Sequence, residues 1–270
     1  DGSWSATPTT ALPEGLNTLS VTATDPAGNT SAATTVALVI DATGPAAPAA
    51  DVAAASDTGV SNTDNITRDT TPDISGTGTA GDTITVTLPT GEVLTAVVAG
   101  NGSWSVTPIQ ALPEGTTNVS VTATDPAGNV SAPATVPVSF DTTPPAPPAA
   151  DLAAGSDTGT SNTDNITTDT TPTITGSGTP GHTIKLYAPD GVTVLGTATV
   201  ANDGTWNITP GAAQPEGLNT FKVIATDLAG NTSAPADVPV TIDNTANVPT
   251  VVPTLGNTLT PLITGGANLA

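Results

Sequence analysis

The sequence repeats itself, and the repeat limits what it can fold into. "GSWS" stands at Gly2 and Gly102, with "GTWN" at Gly204. "LPEG" stands at Leu12 and Leu112, with "QPEG" at Gln214, and "ATDPAGN" stands at Ala23 and Ala123, with "ATDLAGN" at Ala225. Asp41, Asp141 and Asp243 close the copies, 100 and 102 residues apart. A period of this length is a whole small domain rather than one turn of a solenoid. The spacing predicts two complete repeats, 42–142 and 143–243, preceded by the C-terminal half of a repeat at 1–41 and followed by the start of a further, variant repeat at 244–270. Because folding units are expected at both ends in part only, the sequence is read as a segment of a longer repetitive chain.

Within 143–243, apolar residues alternate with polar ones over 148–154, 171–176, 182–188, 193–200, 204–209, 218–226 and 234–242. Clusters of Gly, Pro, Asn and Asp separate these runs, and no helical period is sustained. Seven short strands in about 100 residues predict an all-β fold of tandem immunoglobulin-like β-sandwiches. In "NVSVTAT", Val119, Val121 and Ala123 share one face, which is expected to be the inner one. "LPEG" is the expected bend before the sixth strand, and "TDPAGN" the hairpin joining the sixth to the seventh, with its Gly left-handed. Aromatic residues make up only 2% of the chain, so the recurring tryptophans Trp4, Trp104 and Trp206 are expected to fill the sandwich cores.

Charge narrows the choice of partners. Twenty-four acidic residues against three basic ones give a net charge of −21. That excludes nucleic acid, which must be bound by displacing counterions with Lys and Arg, and disfavours anionic lipid. No apolar run is long enough to cross a membrane. The absence of Cys removes disulfides and thiolate metal sites. His182 is the only histidine, so no Ser-His-Asp arrangement recurs between repeats. Paired carboxylates of the glycosidase kind have no pocket-forming insertion beside them. The chain is expected not to be an enzyme.

At "DTTPPAPPAAD", "TDNITTDTTPTITGSGTPG", "NDGTWNITP" and "ATDLAGNTSAPA" the sequence resembles the bacterial Ig-like (BIg) repeats of giant type-I-secreted adhesins, the SiiE-like and BapA-like proteins. The resemblance covers essentially the whole chain. It implies a secreted or cell-surface location and a stalk that presents a terminal binding region in adhesion or biofilm formation. It also implies calcium at domain junctions, with neighbouring repeats of the same chain as partners and a host-surface or matrix receptor met by regions outside this sequence.

The stretches Asp57–Pro72 and Asp157–Pro172 differ at two positions only and crowd aspartates where basic residues are nearly absent. In an Ig-like sandwich the loop after the first strand lies at the end where the chain exits, close to Asp141 and facing the following repeat. Ca²⁺ takes six to eight oxygens from carboxylates, amides and backbone, which this Asp and Asn mixture supplies. The candidate ligands are Asp57, Asp64, Asn65, Asp69 and Asp141, and their counterparts Asp157, Asp164, Asn165, Asp169 and Asp243. Asp41, Asp125 and Asp227 join them, as hairpin or joint residues that either coordinate or brace a turn. The alternative for the loop is a solvated turn whose side chains cap backbone N–H groups. The loop lacks the spacing and closing Glu of an EF-hand. Glu14, Glu114 and Glu216 of the "PEG" bends recur at the same end, either as further oxygens or as exposed loop charges. From Asp243 to Pro261 the spacing is 18 residues instead of 31, so the repeat opening at 244 lacks the Asp-rich loop.

The linkers "DATGPAAPAAD" and "DTTPPAPPAAD" are proline-rich and favour extended, semi-rigid spacers. Stiff linkers and a metal at each joint together predict an elongated rod. Two other readings remain open: sandwiches that themselves bind glycan or host protein, marked by exposed aromatics or repeat-specific loops, and passive spacers of a secreted enzyme.

Overall fold

The computed structural model describes residues 2–246 and the backbone of two short strands beyond them. Most of the variant repeat expected at 244–270 lies outside the described residues. The chain divides into two compact units, Asp1–Thr142 and Thr143–Ala270.

The first unit begins with an antiparallel pair, β1 (Gly15–Val21) and β2 (Thr34–Ile40). It continues with β3 (Ala49–Val52), β4 (Ile66–Thr67), β5 (Ile74–Thr77), β6 (Thr83–Thr87), β7 (Val93–Val97), β8 (Ser103–Val106), β9 (Gly115–Thr124) and β10 (Ala134–Phe140). These last eight form a sandwich. One sheet runs β4-β10-β9-β6-β7 and the other β3-β5-β8. The second unit repeats the pattern with β11 (Ala149–Leu152), β12 (Ile166–Thr167), β13 (Ile174–Ser177), β14 (Thr183–Tyr187), β15 (Val194–Thr199), β16 (Thr205–Ile208), β17 (Gly217–Thr226) and β18 (Ala236–Ile242). Its sheets are β12-β18-β17-β14-β15 and β11-β13-β16. β19 (Thr250–Val252) and β20 (Thr264–Gly266) pair antiparallel. No helix occurs among the described residues, so the fold is all-β, with Ig-like sandwiches in tandem.

Alternation places the core. In β9, Val119, Val121 and Ala123 are buried while Ser120, Thr122 and Thr124 stay partly exposed. Ile84 and Val86 of the neighbouring β6 extend the same inner face, and Ile74 of β5 closes the core from the facing sheet, all at 0% exposure. Each fully buried side chain of this size is worth about 1.5–3 kcal/mol. Each sandwich holds one phenylalanine, on different strands: Phe140 of β10 in the first and Phe221 of β17 in the second. The matching positions are Ile242 and Val119, so bulk has moved between neighbouring strands while filling one volume.

Trp104 and Trp206 are buried at 5% and 3% exposure, each packed over a glycine of the adjacent strand, Gly76 or Gly176. Trp4 departs from expectation, at 71% exposure. It lies in the segment whose strands are β1 and β2 alone, with no three-stranded sheet packed over it among the described residues. The bends behave as the sequence predicts. Gly115 and Gly217 of the "PEG" motifs and Gly128 and Gly230 of the hairpins all have positive φ, between 91° and 102°.

One element escapes the periodicity. β4 and β12 are two-residue strands inside the Asp-rich stretch, and each pairs parallel with the last strand of its own sandwich. Ser139 N donates to Asn65 O at 2.8 Å, and Asp141 N to Thr67 O at 3.0 Å. Thr241 N and Asp243 N make the same bonds to Asn165 O and Thr167 O, both at 2.8 Å. This pairing carries the Asp-rich loop to the end where each sandwich finishes.

Candidate functional site: the aspartate loops and the chain exits

The loop from β3 to β4 winds around a buried threonine. Thr67 Oγ1 donates to Ser56 O at 2.6 Å and accepts Asp69 N at 3.0 Å, with Thr58 Oγ1 beside it at 3.0 Å. Thr167 repeats the bonds to Ser156 O and from Asp169 N. Against this hub lies Asp57, at 3% exposure, and in the second sandwich Asp157, at 5%. Asp57 Oδ2 accepts Asn65 N at 3.1 Å, and Asp157 Oδ2 accepts Asn165 N at 3.3 Å. Asn65 and Asn165 both hold φ at 58°, a left-handed conformation that Asn tolerates better than most residues.

The opposite oxygens are orphaned. Asp57 Oδ1, Asp157 Oδ1 and Asn65 Oδ1 are buried without a hydrogen-bond partner. Burial pushes the Asp57 carboxyl up from its ordinary value, and the charges of Asp64 and Asp51 add to that. The N–H groups of Asn65 and Asp64 pull the other way. In the second sandwich Asn165 Nδ2 donates to Asp151 Oδ1 at 3.0 Å, so Asp151 of β11 belongs to the same constellation. Asp51 and Asp151 are not among the ligands expected from the sequence, where Asp151 falls within the predicted strand 148–154; their recurrence in "PAAD" is the available signal.

The remaining loop acids brace turns. Asp64 Oδ1 accepts Ile66 N, and Asp69 Oδ1 accepts Thr71 N at 3.0 Å; Asp164 and Asp169 do the same for Ile166 and Thr171. Asp164 and Asp243 also line one cleft of about 250 Å³ in the second sandwich. Among the described residues no group of three or more His, Cys, Asp or Glu side chains converges in a metal-holding geometry. Amide and backbone oxygens would therefore have to complete any cation's shell. A buried, orphaned carboxylate oxygen beside an orphaned amide oxygen fits a hard cation such as Ca²⁺.

The hairpin aspartates are turn braces. Asp125 Oδ1 accepts Ala127 N and Asn129 N, both at 2.9 Å, and its Oδ2 accepts Asn129 Nδ2 at 2.9 Å. Asn129's amide and backbone N–H groups hold the Asp125 carboxyl below its usual range, against a smaller opposing effect of burial. Asp25 and Asp227 make the equivalent bonds to Asn29 and Asn231. Asn129 Nδ2 also donates to Asp41 O at 3.1 Å.

The "PEG" glutamates are not merely exposed loop charges. Glu14 accepts Ala42 N at 3.1 Å, Glu114 accepts Thr142 N at 3.0 Å, and Glu216 accepts Asn244 N at 3.2 Å. Each thereby fastens the residue that follows Asp41, Asp141 or Asp243.

The model of one family, the bacterial Ig-like domain, matches residues 1–42, 44–142 and 143–244. No curated protein sequence matches the chain. Among solved structures, the chain is similar to a Ca²⁺-stabilized adhesin that helps an Antarctic bacterium reach out and bind ice, at 26% identity over 88% of this chain and 59% of that one, with a TM-score of 0.38. It is similar to the BSP domain of a biofilm-associated protein at 21% identity over 74% and 30% of the two chains, with a TM-score of 0.27. A 1.5-MDa bacterial ice-binding adhesin matches at 24% identity over 86% and 76%, with a TM-score of 0.38. The chain thus spans 59% and 30% of the first two.

Proposed function

Because the chain belongs to the bacterial Ig-like domain family, we propose that it is a stalk segment of a large cell-surface adhesin, non-catalytic and stiffened by Ca²⁺ at its joints. Residues 42–142 and 143–243 are its two full repeats, with 1–41 the closing half of one and 244–270 the opening of another. The neighbouring repeats are its partners, and a distal region outside this sequence meets the receptor, in adhesion or biofilm formation. The chain reaches its place by secretion to the cell surface.

The observation that carries the reading is the joint inside the first unit. There Glu14 holds the backbone at Ala42, and Asn129 of the next sandwich's hairpin reaches Asp41 O while holding the Asp125 carboxylate. The carboxylates of Glu14 and Asp125 and the backbone carbonyl of Asp41, from both sides of a linker, are tied into one hydrogen-bonded chain with no basic residue among them. A dication there offsets the repulsion and resists bending. The proline-rich linkers favour the same extended direction.

Small-angle scattering on the chain tests this. The expected result is a maximum dimension of a straight rod in calcium and a flexible particle in excess chelator. Superimposable curves would refute calcium at the joints and leave stiffness to the prolines.

A further inference from the structure

We propose that the outer face of the five-stranded sheet in the second sandwich binds the end of a glycan carrying one carboxylated sugar, on Lys185, Tyr187 and Lys222. The site needs neither a metal nor a contact between repeats, so it stands apart from the stalk reading.

Alternation defines the face. Ile184 and Leu186 of β14 and Phe221 and Val223 of β17 fill the core, so Lys185, Tyr187, Lys222 and Ile224 face outward. Tyr187 lies directly opposite Lys222, and Lys185 lies opposite Ile224, two residues along the same strands. At spacings of about 4.8 Å between strands and 3.4 Å along them, the three backbone positions lie within about 8 Å of one another. They take up both lysines and the only tyrosine of the chain. Asp237 is the one acid among the outward residues of β14, β15, β17 and β18. Two lysines against one aspartate leave this face positive on a chain of net charge −21.

The first sandwich shows that the fold does not require these residues. Thr85, Thr87, Ser120 and Thr135 stand where Lys185, Tyr187, Lys222 and Asp237 do, and the corresponding face of the first sandwich carries no charge. Cations and an aromatic ring thus enter together, on a surface otherwise made of hydroxyls.

The chemistry of the patch selects the ligand. Lys185 is exposed, and its neighbours on both adjoining strands, Thr197 and Ile224, are uncharged, which leaves its ammonium open to a carboxylate. Lys222 pairs with Asp237 at 2.9 Å, an exposed pair that an incoming carboxylate displaces at little cost. The Lys222 stem is held along the β14–β15 hairpin, where a Cβ on Gly191 would meet its Cδ at 3.4 Å. Asp190 of that hairpin spends its oxygens on Val192 N, Thr193 N and Thr193 Oγ1. Tyr187 adds a flat apolar ring with a hydroxyl at its tip, which suits a ligand with C–H faces and hydroxyls of its own. A long polyanion would overrun the patch and meet the acids beyond it, within a screening length of about 8 Å. Nucleic acid needs many more cations than two. One terminal sugar acid stays inside the patch.

The test is an NMR titration of the full chain with a disaccharide ending in glucuronate, against the same disaccharide ending in glucose. The expected shifts fall on amides of 183–187 and 220–224 and spare the matching 83–87 and 118–122, with weaker binding of the neutral sugar. Lys185→Thr with Tyr187→Thr installs residues that the first sandwich already carries, and should weaken binding about tenfold or more. Thr85→Lys, Thr87→Tyr and Ser120→Lys together should create a second site in the first sandwich, which covers a failure of the first variant to fold. Equal binding of the neutral sugar, or equal shifts in both sandwiches, overturns the proposal. Binding of an oligoglutamate peptide without the sugar overturns it in favour of an acidic protein segment. Concentration-dependent association that the first variant abolishes, without sugar binding, overturns it in favour of a second copy of the chain.

Discussion

Gly176 is the position where a single methyl group should do the most damage. It lies in β13, opposite Ala150 on one side and Trp206 on the other. A Cβ built there falls 1.9 Å from Ala149 O, 2.6 Å from Trp206 Cζ2 and 2.8 Å from Cε2. Ordinary contact begins at 3.4 Å, well over an ångström beyond the carbonyl distance and more than half an ångström beyond the ring distances, and neither neighbour is a flexible side-chain end. Relief requires β11 to swing away from β13, which breaks a ladder of four residue pairs and exposes Leu152, now at 6% exposure. Overpacking of this kind costs about 1–3 kcal/mol, and uncovering Leu152 adds about 1.5–3 kcal/mol. The expected loss for Gly176→Ala is about 3–5 kcal/mol. With a urea slope of about 2 kcal/mol/M, the midpoint of the second sandwich falls by about 1.5–2.5 M. The assay is urea unfolding followed by tryptophan emission, with Gly178→Ala as reference. At Gly178 the nearest atom is Val200 Cγ2, 3.2 Å away at the end of a side chain, so its cost is below about 1 kcal/mol. If the two variants unfold within about 0.5 kcal/mol of each other, the close approach of Trp206 to β13 is not what fixes this glycine.

Further outcomes follow from the same geometry. Asp227→Ala removes the acceptor of two bonds from Asn231 in a buried hairpin and should lower the stability of the second sandwich by about 1–3 kcal/mol in thermal melts. Asp190 is held below its ordinary value of 3.8, first by the Thr193 hydroxyl and then by backbone N–H groups. Its folded pKa is depressed, so its contribution is fully present above pH 3.8 and is lost as pH falls through the lower folded value; carboxyl NMR titration should place its midpoint below 3.8. N-bromosuccinimide should oxidise Trp4 alone in the native chain and reach Trp104 and Trp206 only after unfolding, read by absorbance and peptide mass.

Much of the fold was legible because burial in a sandwich imposes a period of two. Val119, Val121 and Ala123 alternate in the sequence and in the core alike. β4 and β12 were not legible: two residues carry no period, and their partner strands lie about 75 residues downstream. Trp4 was misplaced because composition identifies a core residue only where a second sheet covers it. In the aspartate loop, residue type and recurrence pointed to Asp57 and Asn65, but a run of Asp, Thr and Asn reads as solvated. Only the parallel pairing around Thr67 draws Asp57 inward. Asp51 stayed hidden because its alternation marks it as a strand residue before it marks it as an oxygen donor. The glutamates of "PEG" looked like loop charges because the N–H groups they hold lie 28 residues away.

The pairing of β4 with β10 also decides how a repeat answers tension. A pull on both ends of the sandwich draws β10 forward along its axis while the chain entering β4 is drawn back. The bonds from Ser139 N and Asp141 N run across that axis, so they are loaded in shear and must rupture together. A hairpin such as β1 with β2, opened from its free ends, unzips one pair at a time and yields at low force. Mechanical resistance is therefore concentrated at a two-residue patch beside the aspartate loop, and a tether of such repeats resists extension at the exit of each one.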